Sequence, residues 1–138
     1  MKKYVVMQDG IKECGSACLL SIIRYYKGNV PMERLLEMTN TTREGTNFYD
    51  LAMAANEIGL SAKAYKVDNL DKLYEIEKPF ISQVIINNYK HFVVIYKMSN
   101  EKITIMDPAK GMVKMKEDEF NKIWTGYILI LEPYKQLP

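Results

Sequence analysis

The chain has 138 residues and a mass of 16.0 kDa, 48% hydrophobic and 26% charged, the make-up of an ordinary globular domain covering residues 1–138 rather than a disordered or fibrous chain. Nineteen Lys and Arg against 17 Asp and Glu leave a formal charge of +2, too weak a field to select nucleic acid as a partner. No apolar run exceeds five residues, as at 92–96, far short of the ~20 that span a bilayer, and Lys2 and Lys3 are followed by polar Gln8 and Asp9 before a signal-peptide core forms.

The first periodic segment covers about residues 13–27. Leu19, Ile22, Ile23 and Tyr26 fall on one face at helical spacing, and Ala17, Cys18 and Tyr25 carry the apolar surface round much of the cylinder. A helix this apolar is expected at the centre of the fold. Gly28 and Asn29 end it, and Pro31 opens a second, short helix containing Leu35 and Leu36. Residues 39–46 are polar and read as a loop. Asn47 is a helix N-cap for a third helix through Leu51, Ala54, Ala55 and Ile58, closed by Gly59. There the period changes. Leu60, Ala62 and Ala64 alternate with polar neighbours as a strand, a helical turn covers residues 69–74, and short β-branched runs follow at 80–86, 91–96, 103–106, 112–115 and 127–131. A last helical turn spans residues 120–124. A helical part of about 8–59 followed by a sheet part of about 60–132 predicts an α+β domain with N-terminal helices packed on an antiparallel sheet.

Two cysteines lie four residues apart, and with no secretory signal they read as free thiols. Loop residues precede Cys14 and the apolar helix follows it, so its thiol is expected at the helix N-terminus, where unsatisfied N–H groups and the helix dipole favour a nucleophilic thiolate. The plainer reading makes it a small buried hydrophobe. Cys18, one turn deeper, reads as structural and inert. His91, the sole histidine, begins a strand. If that strand and the one ending at Asp107 form a hairpin turning around Ser99 and Asn100, His91 stands directly opposite Asp107 on the same face. A carboxylate there orients the imidazole and stabilises the imidazolium. Nucleophile, base and orienting group are then all present, and Gln8 offers a side-chain N–H₂ to an oxyanion beside the Cys14 backbone N–H. The same groups, Cys14, Cys18, His91 and Asp107, admit a zinc reading, but no CxxC spacing or second histidine supports it.

The stretches from Gln8 through Glu13-Cys14-Gly15-Ser16-Ala17-Cys18-Leu19, His91-Phe92-Val93-Val94, and Asp107-Pro108-Ala109-Lys110-Gly111 together resemble the N-terminal peptidase domain of bacteriocin-exporting ABC transporters. Gly45, Leu51, Ala54, Ala55, Gly59, Leu60, Pro79, Phe120 and the run Trp124-Thr125-Gly126 extend the likeness over nearly the whole chain. The resemblance implies a papain-like cysteine endopeptidase that removes double-glycine leaders from bacteriocin or similar secreted precursors. It assigns Cys14 as nucleophile, His91 as general base and acid, Asp107 as orienting carboxylate and Gln8 as oxyanion donor, with no metal and no cofactor. It also implies a peptide precursor as partner, transmembrane and ATPase domains in a parent exporter, and a place on the cytoplasmic side of the membrane. The chain is then expected to be an excised domain or a stand-alone relative.

Asn47, Phe48 and Tyr49, opening a helix after a long loop, are the expected part of the peptide groove. Two other classes compete. A docking module that binds a leader without cutting it need keep none of the four site residues, and a papain-like transferase or amidase acting on a small substrate would use the same ones.

Overall fold

The computed structural model describes residues 4–138, so Lys2 and Lys3 lie outside the described residues. The period change at Gly59 is a physical boundary: its φ of 129° ends one helix and redirects the chain into the first strand. Before it come α1 (Cys14–Tyr25), α2 (Met32–Met38) and α3 (Phe48–Ile58). After it come β1 (Leu60–Lys66), β2 (Phe80–Ile86), β3 (Tyr89–Ser99), β4 (Lys102–Asp107), β5 (Gly111–Lys116), α4 (Glu117–Ile123) and β6 (Trp124–Pro133). Short 3₁₀ turns occupy Ile11–Glu13 and Leu70–Glu75. Asn47 caps α3 as its residue type predicts, its side chain accepting the Asp50 N–H at 2.8 Å.

The strands form one antiparallel sheet in the order β1-β6-β2-β3-β4-β5. Strand alternation sends Phe92, Val94, Ile81 and Leu129 to the face covered by α1 and α3, where Leu19, Ile22, Ile23 and Leu51 have no solvent exposure. Burial of each such side chain stabilises the fold by roughly 1.5–3 kcal/mol. Residues of opposite parity, among them Phe80, Val84, Val93 and Ile105, pack with Phe120 of α4 on the other face. Helix α1 is apolar nearly all round because it is enclosed nearly all round: every residue from Cys14 to Ile23 is buried.

Two tight turns set the register around β3. Asn87 and Asn88 connect β2 to β3, and Asn100 and Glu101 connect β3 to β4, all four with φ between 51° and 69°. Two successive left-handed residues match the twist of the paired strands, and asparagine tolerates that conformation well. The β3–β4 turn therefore lies one residue later than the expected turn around Ser99 and Asn100. A bulge at Tyr96 shifts the ladder again, from Ser99↔Lys102 at one end to Val94↔Met106 at the other. Asp107 consequently stands diagonal to His91 rather than opposite it, and diagonal neighbours two residues apart still share a face.

Candidate active site

The nucleophile candidate is placed by the turn before α1. Gly10 takes φ 110°, the chain winds through Ile11–Glu13, and Cys14 becomes the first residue of α1. The Glu13 carboxylate accepts the Asp9 N–H at 2.9 Å and fixes that turn. Gly15 leaves room for its neighbours to close on the helix start: a Cβ there would lie 2.6 Å from Thr46 Cγ2 and 3.2 Å from Phe92 Cδ2. The loop before α3 and strand β3 thus press directly on the residue beside Cys14. At the next position, the Ser16 hydroxyl is buried against Thr39 Oγ1 at 2.9 Å, which ties α1 to the end of α2.

His91 lies near the start of β3, paired with Val84 of β2, and Asp107 is the last residue of β4. Their side chains meet, with His91 Nε2 donating to Asp107 Oδ1 at 2.7 Å. The Ala109 N–H donates to the same oxygen at 2.9 Å. Because Nε2 is committed to the carboxylate, Nδ1 is the nitrogen left for a reacting group. Cys14, His91 and Asp107 are only 6%, 7% and 6% exposed.

Burial opposes the charged imidazolium. Hydrogen bonding to Asp107 and then the interaction with Cys14 outweigh that penalty and raise His91 from its usual 6.5 to about 9. The Asp107 carboxyl moves the other way: burial would raise it, but its bonds from His91 and Ala109, with the nearby Lys110 charge, hold it below the usual carboxylate range. Histidine and carboxylate therefore favour the ion pair at neutral pH. Cys18 lies fully buried one turn below Cys14, and burial, followed by the neighbouring Cys14 and Asp107 charges, pushes its thiol well up.

Gln8 joins the site through the backbone. Its N–H donates to the Pro108 carbonyl at 2.9 Å, so the segment before α1 is fastened to the turn that follows Asp107. Its side-chain Oε1 is sealed from solvent without a hydrogen-bond partner. Among the described residues no group of three His, Cys, Asp or Glu side chains is arranged to hold a metal ion.

A cleft of about 880 Å³ opens from Cys14 between the 43–48 segment and the sheet. Of the three residues expected in the peptide groove, Asn47 and Phe48 line this cleft. Tyr49 does not: the next position on α3 points away, and Tyr49 is 71% exposed. Phe48 meets Phe92 edge to face at 5.1 Å and lies 6.3 Å from Tyr127, forming an aromatic wall. Arg43, Glu44, Thr46, Gln83 and Tyr127 also line the cleft, and no motif of the sequence points to them. Gln83 carried a usable signal, as a large polar side chain that follows Ser82 in a β2 run otherwise built of apolar residues. A second concavity of about 250 Å³ adjoins this cleft, sharing Ile11, Tyr89 and Lys90 and also lined by Gln8, His91 and Asp107.

Residues 2–136 match the sequence profile of the Peptidase C39 family. The chain belongs to the peptidase C39 family. It is a cysteine peptidase domain by that membership, with helices packed on an antiparallel sheet in the papain-like manner. Among C39 relatives, the lactococcin-G-processing and transport ATP-binding protein LagD of Lactococcus lactis is 36% identical over 135 residues, 96% of this chain. This C39 chain spans only 19% of the length of LagD. A double-glycine-motif protease from an AMS/PCAT transporter, solved in complex with its leader peptide, superposes with a TM-score of 0.87 at 38% identity, covering 94% of this chain and 90% of that one. The peptidase domain of Streptococcus ComA superposes with a TM-score of 0.86 at 29% identity, covering 94% and 97%.

Proposed function

We propose that this C39 domain is a cysteine endopeptidase that cuts peptide precursors after a double-glycine leader, with Cys14 as nucleophile, His91 as acid and base, Asp107 as orienting carboxylate and Gln8 as oxyanion donor. The observation that carries the reading is the buried His91–Asp107 pair brought against Cys14 at the head of α1.

Cys14 Sγ attacks the carbonyl carbon of the second leader glycine, forming the C–S bond and placing negative charge on the carbonyl oxygen. The Cys14 backbone N–H and Gln8 Nε2 hold that oxygen. With Oε1 of Gln8 sealed in, Nε2 is the reachable end of its amide. The imidazolium of His91 gives the Nδ1 proton to the departing amine as the C–N bond breaks. A water then loses its proton to His91 and attacks the thioester, the C–S bond breaks, and Cys14 returns as thiolate beside an imidazolium. Asp107 keeps its charge throughout and holds Nε2, so that Nδ1 faces the reaction.

The two concavities fit the two halves of the substrate. The larger one contains Cys14, to which the acyl half becomes bonded; the smaller one contains His91, which serves the leaving amine. LagD is a processing and transport ATP-binding protein, and this chain matches a fifth of it. We assign the chain the corresponding place: a peptidase unit working with transmembrane and ATPase domains on the cytoplasmic side of a membrane. Among the described residues no helix is long and apolar enough to cross that membrane itself.

The test is to incubate the domain with a synthetic leader ending Gly-Gly joined to a short cargo and to follow the products by mass spectrometry. Cleavage after the second glycine, lost in Cys14→Ala and kept in Cys18→Ala, is the expected result. Binding without cleavage by the intact chain would make it a docking module, and loss of activity in Cys18→Ala alone would move the nucleophile.

A further inference from the structure

We infer that Gln83 is the residue that reads the leader backbone at its two glycines, binding the peptide unit between them through its side-chain amide. The inference rests on the double-glycine reading above and deepens it by naming what recognises a segment that has no side chains.

Strand β2 is apolar along the face turned toward α1 and α3 except at this position. Gln83 pairs with Phe92 of β3, so its side chain shares that face, and it lines the same cleft as Cys14. The β2–β6 ladder is interrupted here, with the register shifting between Ser82↔Ile128 and Val84↔Trp124. The extra residues lie in β6, where 124–128 oppose 82–84 of β2, so Gln83 keeps its place in the regular β2–β3 ladder; such bulges are concentrated beside active sites. The Gln83 carbonyl is taken up separately by the Thr125 hydroxyl at 3.2 Å, which braces the irregular backbone.

The side chain itself has no partner. Gln83 is only 9% exposed, and its amide makes no hydrogen bond to any described residue. Neither of its polar atoms is among those sealed from solvent, so both open into the cleft. An amide carries two N–H donors and an acceptor oxygen, and leaving such a group unpaired in a mostly dry setting is costly. Phe48, Phe92 and Tyr127 line the same cleft, and aromatic rings offer an amide little hydrogen bonding.

The occupant follows from that chemistry. A glycine pair offers its reader only backbone N–H and C=O groups. The Gln83 amide presents the complementary donor and acceptor. The oxyanion donors act on the carbonyl of the second glycine, one residue nearer Cys14, so Gln83 takes the peptide unit before it.

The experiment uses the full chain, a leader–cargo peptide, and the same peptide with the amide between the two glycines replaced by an ester, which removes its N–H. Gln83→Leu is expected to raise KM for the amide substrate about tenfold while kcat stays within about threefold. The ester is expected to cost the wild-type enzyme a similar factor and to cost Gln83→Leu nothing further, because the lost interaction is the same one. Leucine removes an unpaired amide, so its melting temperature is expected to equal or exceed that of wild type. Should Gln83→Leu fold poorly, Gln83→Glu, which keeps the acceptor and loses the donor, is expected to raise KM with the melting temperature retained. Additive losses from ester and variant, or an unchanged KM in the folded variants, would overturn the assignment. Failure of the wild-type chain to cut either peptide would instead overturn the double-glycine reading.

Discussion

Replacing Asp107 by asparagine preserves the shape of the side chain and removes its charge from a position 2.7 Å from the only histidine. His91 sits at about 9 against an ordinary 6.5. That difference corresponds to a preference for the imidazolium of at most about 3 kcal/mol, reduced by solvent screening at the cleft mouth. Burial works against it, so the whole preference comes from Asp107 and Cys14, with the Asp107 bond the larger contributor. Asp107→Asn is therefore expected to move the midpoint of His91 down by about one pH unit or more. The alkaline limb of kcat/KM, which reports loss of the imidazolium, should move down with it from near pH 9. Two assays check this. Peptide cleavage between pH 5 and 10 gives the limb, and proton–carbon NMR follows the single imidazole resonance directly. A wild-type histidine titrating near 6.5, or a midpoint unchanged in Asp107→Asn, would refute the electrostatic account. Stability carries the same signature. The raised histidine contributes stability that is complete below about pH 6.5 and is lost as pH rises through about 9, while the lowered carboxyl contributes stability present above its usual 3.8 and lost as pH falls through its depressed value. The gap in unfolding free energy between wild type and Asp107→Asn should thus be widest between about pH 4 and 6.5 and shrink on both sides.

Cys14→Ala should lower kcat by about 10⁴-fold or more without lowering the melting temperature appreciably, whereas Cys18→Ala should keep activity and lose about 1 kcal/mol of stability, measured by peptide cleavage and urea unfolding. Gly15→Ala should destabilise by about 1–3 kcal/mol, because its Cβ meets Thr46 and Phe92 at less than contact distance, and urea unfolding with m unchanged is the check. Asn47→Ala removes the side chain that accepts the Asp50 N–H and should cost about 1 kcal/mol in the same assay. Phe48→Ala should raise KM for the leader peptide through loss of the wall it forms with Phe92 and Tyr127.

The helical half was legible because its signals are local. Pro31, Asn47 and Gly59 punctuate it, and the all-round apolar character of residues 14–23 announces a buried helix. The strands were legible as runs, though several extend further: β3 begins at Tyr89 and β6 runs from Trp124 to Pro133, since ladder pairing continues through polar residues that composition alone assigns to turns. Juxtaposition was harder. The nearness of His91 and Asp107 was foreseeable from a hairpin, but the strict opposition was not kept, because a bulge at Tyr96, whose hydroxyl is buried against that of Ser21, and a turn of two left-handed residues shift the register. The cleft walls were least legible. Arg43 to Thr46, Gln83 and Tyr127 come from three separate parts of the chain, and no spacing rule links them.

The sheet order carries a consequence for how the protein comes into being. Strand β6, the sixth of these strands in chain order, lies inside the sheet between β1 and β2 rather than at an edge. A nascent chain that has delivered only its first five strands holds β1 and β2 with no ladder between them, and the apolar face beneath α1 and α3 stays unfinished. Cys14, His91 and Asp107 have then all left the ribosome, yet the cleft has no Tyr127 wall and β2 has lost one of its two neighbours. Closure comes only with the last strand, by pairings far apart along the chain, which are slow to form. On the function proposed above, a product truncated before β6 would carry Cys14, His91 and Asp107 without the finished cleft, and is expected to be inert.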